Sequence, residues 1–203
     1  MSGTDSVVFL LDDNGSVRET IRYLLESADV RVETFANAEE FFQRRSSDGP
    51  ASLMFDVRLP GMSGPDALRA LQRPGRPLPT IVITGHGDVP MFVEAMRAGA
   101  IGFLLEPLRA EELLDAIHQA LSEAAVARRQ RRELADLKRR YASLTPRERE
   151  VMAGVVCGRL NKQIAGGLGT SQATIKMHRA HVMRKMQVRS VAELARIGER
   201  LGL

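Results

Sequence analysis

The sequence contains no tryptophan and a single cysteine, Cys157, among 203 residues. An internal disulfide is therefore excluded, as is a zinc centre built from cysteines. Aromatic residues make up 4% and hydrophobic residues 44%, so the cores are expected to be aliphatic and rich in methionine. No apolar run approaches the roughly 20 residues that a membrane span needs. The N-terminus lacks the basic stretch followed by an apolar one that directs secretion. A soluble, cytoplasmic protein with no membrane partner is the expectation. Lysine is missing from the whole chain before Lys138.

What charge there is lies unevenly. Residues 1–122 carry 11 Arg and no Lys against 18 acidic residues, a net of −7. Residues 123–203 carry 18 Lys plus Arg against 7 acidic residues, a net of +11. A basic half beside an acidic half points to a polyanionic partner for the basic one.

The first part alternates short apolar runs with helical patterns. Val7–Leu11, Val30–Phe35, Leu53–Asp56, Thr80–Thr84 and Gly102–Leu105 read as strands. Val17–Ser27, Ala38–Arg45, Asp66–Gln72, Val89–Ala98 and a stretch from Ala110 onward read as helices. Five such units predict a doubly wound α/β domain, a five-stranded parallel sheet of order 2-1-3-4-5. After Pro107 apolar residues recur every three or four positions to Tyr141, across the charged run Arg128–Arg132. The last helix of the first domain is thus expected to continue as a helical linker, with a break near Ala127 as the alternative. The remainder is all-α, a four-helix domain. Thr145-Pro146-Arg147-Glu148 has the form of a capping box with proline at the first helical position. Gly158 stops that helix, Asn161 is placed to cap a short one, Gly169-Thr170 makes a turn, Ser171 caps Gln172–Met186 and Ser190 caps Val191–Leu201. The expected division is residues 1–122, a linker over 123–142, and 143–203.

In an open parallel sheet, chemistry sits at the carboxyl ends of the strands where their order reverses. Asp12 and Asp13 end the first strand and Asp56 ends the third, so three carboxylates are expected to converge. Such a set suits a hard divalent cation, Mg²⁺, and with the metal in place an aspartate can attack a phosphoryl group. Asp56 is the best nucleophile, because the other two act as a pair. Asp13 or Asn14 is also placed to cap the following helix. Two short helices joined by a tight turn, the second capped by Ser171, fit a helix-turn-helix. In that second helix Ile175, Val182, Met186 and His178 form the inward stripe. Ala173, Lys176, Met177, Ala180 and Arg184 face outward, flanked by Gln172 and Arg179, and this face suits a major groove about 12 Å wide.

Over residues 6–120 the chain resembles the receiver domain of two-component response regulators of the FixJ-like branch. The residues that carry the likeness are Leu11-Asp12-Asp13, Asp56 through Gly64, Ile81 through Pro90, Glu94-Ala95-Met96 and Gly99-Ala100. The resemblance implies that Asp56 is the phosphoacceptor, that Asp12, Asp13, Asp56 and the Arg58 carbonyl hold Mg²⁺, and that Thr84 and Phe103 form a switch. It also implies a sensor histidine kinase as partner, a homodimer when active, and RNA polymerase as a further candidate partner. One position departs: the family's Lys-Pro after the fifth strand is Glu106-Pro107 here.

Residues 141–203 resemble the LuxR-type DNA-binding domain, through Leu144–Val151, Asn161–Ala165, Thr174–Arg179, Lys185-Met186, Val188 and Arg189-Ser190. The likeness implies phosphate contacts from Lys162, Thr174 and Arg179 and groove contacts around Lys176 and Met177. Ser171 and Arg184 complete the expected DNA-binding set. Gly166-Gly167 within the short helix, and Met177 where valine is usual, depart from the pattern.

The remaining signals read as structural. His178 and His181 are three apart with no third metal ligand in view. His86 belongs to the loop after the fourth strand, and Cys157 is expected to be a small apolar filler. The expected function is a DNA-binding transcription regulator phosphorylated on Asp56, with output tuned by Glu106. The alternative is a DNA-binding regulator whose degenerate receiver works without phosphate. A phosphohydrolase would need an aspartate two residues after its nucleophile; Arg58 stands there, so an enzyme is not expected.

Overall fold

The computed structural model describes residues 6–44, 49–57, 59, 68–70, 78–85 and 89–203. They form two compact units, Met1–Arg128 and Arg129–Leu203.

The first unit contains strands β1 (Val7–Leu11), β2 (Arg31–Phe35), β3 (Ala51–Asp56), β4 (Thr80–Thr84) and β5 (Gly102–Leu105). Their spatial order is β2-β1-β3-β4-β5, and every pair is parallel. The intervening helices are α1 (Gly15–Ser27), α2 (Ala38–Gln43) and α3 (Val89–Arg97). Of the helix expected over Asp66–Gln72, only Leu68, Arg69 and Ala70 lie within the described residues, and they are helical. The two-residue period of a strand sorts the sheet's side chains into two cores. Val7, Phe9 and Leu11 of β1 join Leu53 and Phe55 of β3 under Phe41 of α2 and Ala95 of α3. Val8, Leu10, Met54, Ile81 and Ile83 point the other way, toward Ile21 and Leu25 of α1 and Leu113, Ile117 and Ala120. The expectation of aliphatic, methionine-rich cores is half right. Aromatics are few, but they gather on one face: Phe41 meets Phe9 and Phe35 edge-on at 5.6 and 5.5 Å between centroids. The Arg44 guanidinium caps the Phe41 ring at 3.4 Å.

Helix α4 runs unbroken over Ala110–Ala142, so the charged stretch Arg128–Arg132 does not interrupt it. The second unit adds α5 (Pro146–Val156), α6 (Asn161–Gly167), α7 (Gln172–Met186) and α8 (Val191–Leu201). Its core is Leu144, Val151, Met152, Val155, Ile164, Ile175, Val182, Met186 and Leu194. Three helix starts are capped as expected. Thr145 and Glu148 form a reciprocal capping box, Ser171 accepts the Thr174 N–H at 3.1 Å, and Ser190 accepts the Glu193 N–H at 3.1 Å. At α6 the expectation fails. Asn161 is the first helical residue and does not cap; Gln163 accepts the Leu160 N–H at 2.8 Å instead. The Asn161 side chain is engaged elsewhere, as acceptor for Arg179. Gly158 ends α5 with φ +74°, and the Gly158 and Arg159 N–H groups close back on Val155 and Gly154. Cys157 is exposed rather than an apolar filler, because it occupies the helix C-cap, outside the buried stripe.

Candidate functional site

The first site lies at the carboxyl edge of the sheet. β1 and β3 are parallel neighbours with Leu11 opposite Phe55, so Asp12 and Asp56 leave their strands side by side. Carboxylate oxygens of Asp12, Asp13 and Asp56 all lie within 4.8 Å of one another. Asp12 is 2% exposed, Asp56 half-buried and Asp13 exposed. Asn14, not Asp13, caps α1, accepting the Ser16 N–H at 3.0 Å, which leaves Asp13 to the cluster. Burial pushes the Asp12 carboxyl up to about 6, with added repulsion from Asp56, Asp13 and Glu106; these outweigh the Asn14 N–H, which acts the other way. Three convergent carboxylates, one held against ionisation, suit a hard divalent cation.

Glu106 follows β5, and its N–H donates to the Thr84 carbonyl at 3.0 Å. Its carboxylate lies across Gly85: a Cβ at Gly85 would meet Glu106 Oε2 at 2.8 Å. Asp56, Gly85, Glu106 and Pro107 line one cavity of about 860 Å³ together with Ser16 and Thr20 of α1. The fourth carboxylate is therefore part of the same pocket. Thr84 is buried at the end of β4. Phe103 is half-buried opposite Val82, two positions back along the sheet, and its ring meets Phe92 of α3 edge-on at 5.5 Å. Arg58 and His86 lie outside the described residues.

The second site is the outer face of α7. Ile175, Val182 and Met186 are buried, as the stripe requires. Ser171, Gln172, Ala173, Lys176, Met177, Ala180 and Arg184 are exposed, and so is Lys162 on α6. Met177 is 49% exposed. Two members of the expected set are held more firmly. Thr174 is half-buried with its hydroxyl 2.9 Å from that of Ser171. Arg179 is half-buried and donates to Asn161 at 2.5 Å, which ties α7 to α6.

Sequence reasoning missed the buried wiring of this unit. Glu148 is 4% exposed in its side chain and pairs with Lys185 Nζ at 2.6 Å. Lys185 and, to a lesser extent, the Thr145 N–H hold its carboxyl below the usual glutamate range. Arg140, near the end of α4, donates to the Met186 carbonyl at 3.3 Å. Leu137 is buried and Tyr141 packs on the helical core. Two of the apolar residues of the expected linker are thus covered within the chain. The expectation that His178 and His181 lack a third ligand is also overturned: Glu148 stands beside them. Its only sequence signal was the capping box, which conceals a second role.

Comparison with known proteins agrees with both halves. Residues 8–118 match the response regulator receiver domain, and residues 142–197 match the bacterial regulatory proteins of the luxR family. Nodulation protein W of Bradyrhizobium diazoefficiens is 43% identical over 202 residues, spanning 100% of this chain and 89% of that one. The transcriptional regulatory protein FixJ of the same organism is 38% identical over 200 residues, covering 98% of each. Among solved structures, the response regulator StyR superposes with a TM-score of 0.85 at 43% identity, covering 97% of this chain and 99% of that one. Full-length FixJ from B. japonicum gives 0.55 at 37% identity, covering 97% of each. A doubly wound sheet with an acidic pocket, followed by a capped helix-turn-helix, and relatives that include a transcriptional regulatory protein and a response regulator, together place this chain in the response regulator family, as a transcriptional regulator with a receiver domain and a LuxR-type DNA-binding domain.

Proposed function

We propose that this chain is a phosphorylation-modulated transcription regulator whose receiver has been made partly independent of phosphate by Glu106. The functional division is a receiver over residues 1–122, a helical linker over 123–142 and a DNA-binding domain over 143–203. Asp56 is the phosphoacceptor: one of its carboxylate oxygens forms a bond to phosphorus as the P–N bond to a sensor kinase's phosphohistidine breaks. Asp12, Asp13, Asp56 and the Arg58 carbonyl would hold Mg²⁺. When bound, the cation offsets negative charge on the transferring group and on the carboxylates. Thr84 and Phe103 are the switch pair. Lys162, Ser171, Thr174, Lys176, Met177, Arg179 and Arg184 face DNA.

The observation that carries the reading is the Glu106 carboxylate, which lines the same cavity as Asp56. A lysine after β5 would attract a phosphoryl oxygen; a glutamate repels it. Two like charges 4 Å apart repel by about 4 kcal/mol at an effective dielectric of 20, less where water or a cation screens them. Metal binding does not need the lysine. The phosphoryl group does, because a ligand shifts an equilibrium only by its differential affinity for the two states. Asp56 is therefore phosphorylated slowly, phosphate moves the switch only weakly, and DNA binding is substantial without it. Phe92 and Leu105, exposed on α3 and β5, offer an apolar face for a homodimer, and RNA polymerase is the further partner an activator would need. The test compares wild type with Glu106→Lys, each with and without a small phosphodonor, reading Asp56 phosphorylation, oligomeric state and DNA affinity. Faster phosphorylation and a larger phosphate response in the lysine variant are expected. Rapid phosphorylation and full switching in wild type, unchanged by the substitution, would refute the role given to Glu106.

A further inference from the structure

We propose that Glu148, His178 and His181 form a binding site for a transition-metal cation of the Zn²⁺ class, clasping the first helix of the DNA-binding domain to its recognition helix. His178 and His181 stand three apart on α7, so both rings lie on one side of the helix, one turn apart. Glu148 reaches them from the first turn of α5. One carboxylate oxygen and one ring nitrogen from each histidine all lie within 4.8 Å of one another. His181 Nδ1 is 3.7 Å from Glu148 Oε1, too long for a hydrogen bond. Tetrahedral coordination at bond lengths of about 2.0–2.1 Å sets neighbouring ligand atoms about 3.3 Å apart. The observed gap is close to that, and small side-chain rotations close the rest.

The side chains keep unused capacity. His178 Nδ1 is buried with no hydrogen-bond partner among the described residues, so the imidazole has unused capacity that a buried polar atom ordinarily does not keep. Glu148 divides its two oxygens: Oε2 takes the Thr145 N–H at 2.8 Å and Lys185 Nζ at 2.6 Å, while Oε1 faces His181. The side chain of His181 is 39% exposed, which gives an ion a path in. Two imidazoles and a carboxylate are a donor set for Zn²⁺, Ni²⁺ or Co²⁺ and a poor one for Mg²⁺, which prefers oxygen. With three protein ligands the fourth position is left to water. Lys185 opposes a dication by simple repulsion, so the affinity is moderate and rises when that charge is removed. Because both histidines belong to α7, occupancy stiffens the attachment of the recognition helix and adds positive charge beside it.

The experiment uses the full chain, freed of metal by a chelator and then saturated with Mg²⁺ so that the acidic pocket is occupied. Zn²⁺ is titrated by calorimetry, and Co²⁺ by its visible absorption. One Zn²⁺ is expected per chain, with a higher melting temperature by mass action. His181→Ala and His178→Ala, each checked for native circular dichroism, are expected to weaken binding more than about tenfold, since loss of even an outer-shell partner costs that much. Lys185→Gln is expected to tighten it, an outcome a purely structural role for these residues does not produce. DNA affinity measured with and without Zn²⁺ reports the coupling. No Zn²⁺ uptake in the presence of Mg²⁺, or uptake that His181→Ala leaves unchanged in stoichiometry and affinity, overturns the proposal. So does a Lys185→Gln variant that retains its fold and binds Zn²⁺ no more tightly than wild type.

Discussion

At the scale of single residues, Asp12 shows how a functional pocket works against the fold that holds it. Its carboxyl is buried among other carboxylates and held near 6 instead of 3.8. The native state therefore binds its proton more tightly than the unfolded chain does. Below 3.8 the group is protonated in both states and contributes nothing; as pH rises from 3.8 to 6 the unfolded chain ionises first, and stability falls. Above 6 the full penalty remains. In chelator, wild type is expected to lose melting temperature relative to Asp12→Asn across that window, and Mg²⁺ is expected to narrow the difference. If the two proteins keep a constant separation from pH 4 to 7 without metal, the burial and repulsion held to raise this carboxyl do not operate. The burial of Asp12 was visible only in the structure, but the meeting of the three carboxylates was legible in the sequence. The positions of Asp12, Asp13 and Asp56 follow from strand ends, because a parallel sheet brings them to one edge. Which of Asp13 and Asn14 capped α1 did need them, since both side chains can accept the same N–H.

At the scale of elements, the glycines separate cost from use. Gly198 lies inside α8, where an added Cβ would meet Val156 Cγ1 at 2.7 Å and Cγ2 at 2.8 Å. Helix propensity favours alanine over glycine by about 1 kcal/mol. Overpacking against a β-branched neighbour with few rotamers costs about 1–3 kcal/mol. Overpacking wins, so Gly198→Ala is expected to lower the urea midpoint of the helical unit. At Gly166 a Cβ meets nothing within 4 Å, so Gly166→Ala is expected to raise stability by about 1 kcal/mol. The opposite signs are the check; a gain at Gly198 would mean that α5 and α8 can move apart cheaply. The sequence pattern identified the elements of this unit well, because caps and stops are local chemistry. It did not identify Gly198 as a contact, because nothing local distinguishes a helical glycine that touches a neighbouring helix from one that faces water. Asn161 shows the same limit: a good cap by residue type, it is the first residue of α6 and is taken by Arg179, 18 positions away.

At the scale of the whole molecule, the separation of charge matches the division of labour proposed above, an acidic pocket in one unit and a basic face for DNA in the other. Lys176→Ala is expected to weaken DNA binding and reduce the slope of log affinity against log salt by about one, the signature of one lost phosphate contact. Arg179→Ala is expected to weaken binding and also to destabilise the unit, because its guanidinium holds Asn161. A footprint over two half-sites is expected, since one such domain offers a single recognition helix; unchanged salt slopes in both variants would displace the interface from α7. The sequence by itself determined the sheet, its strand order, the acidic trio and three of the four capped helix starts, because each rests on periodicity, strand ends or a local cap; that Ala110–Ala142 is one unbroken helix was decided by the structure. Only the tertiary structure decided that Glu106 shares a cavity with Asp56, that Leu137 and Tyr141 are covered within the chain, and that Glu148 meets Lys185, His178 and His181. Those are contacts between residues far apart in sequence, and a one-dimensional pattern records the period of each helix but not which face of a neighbour it will meet.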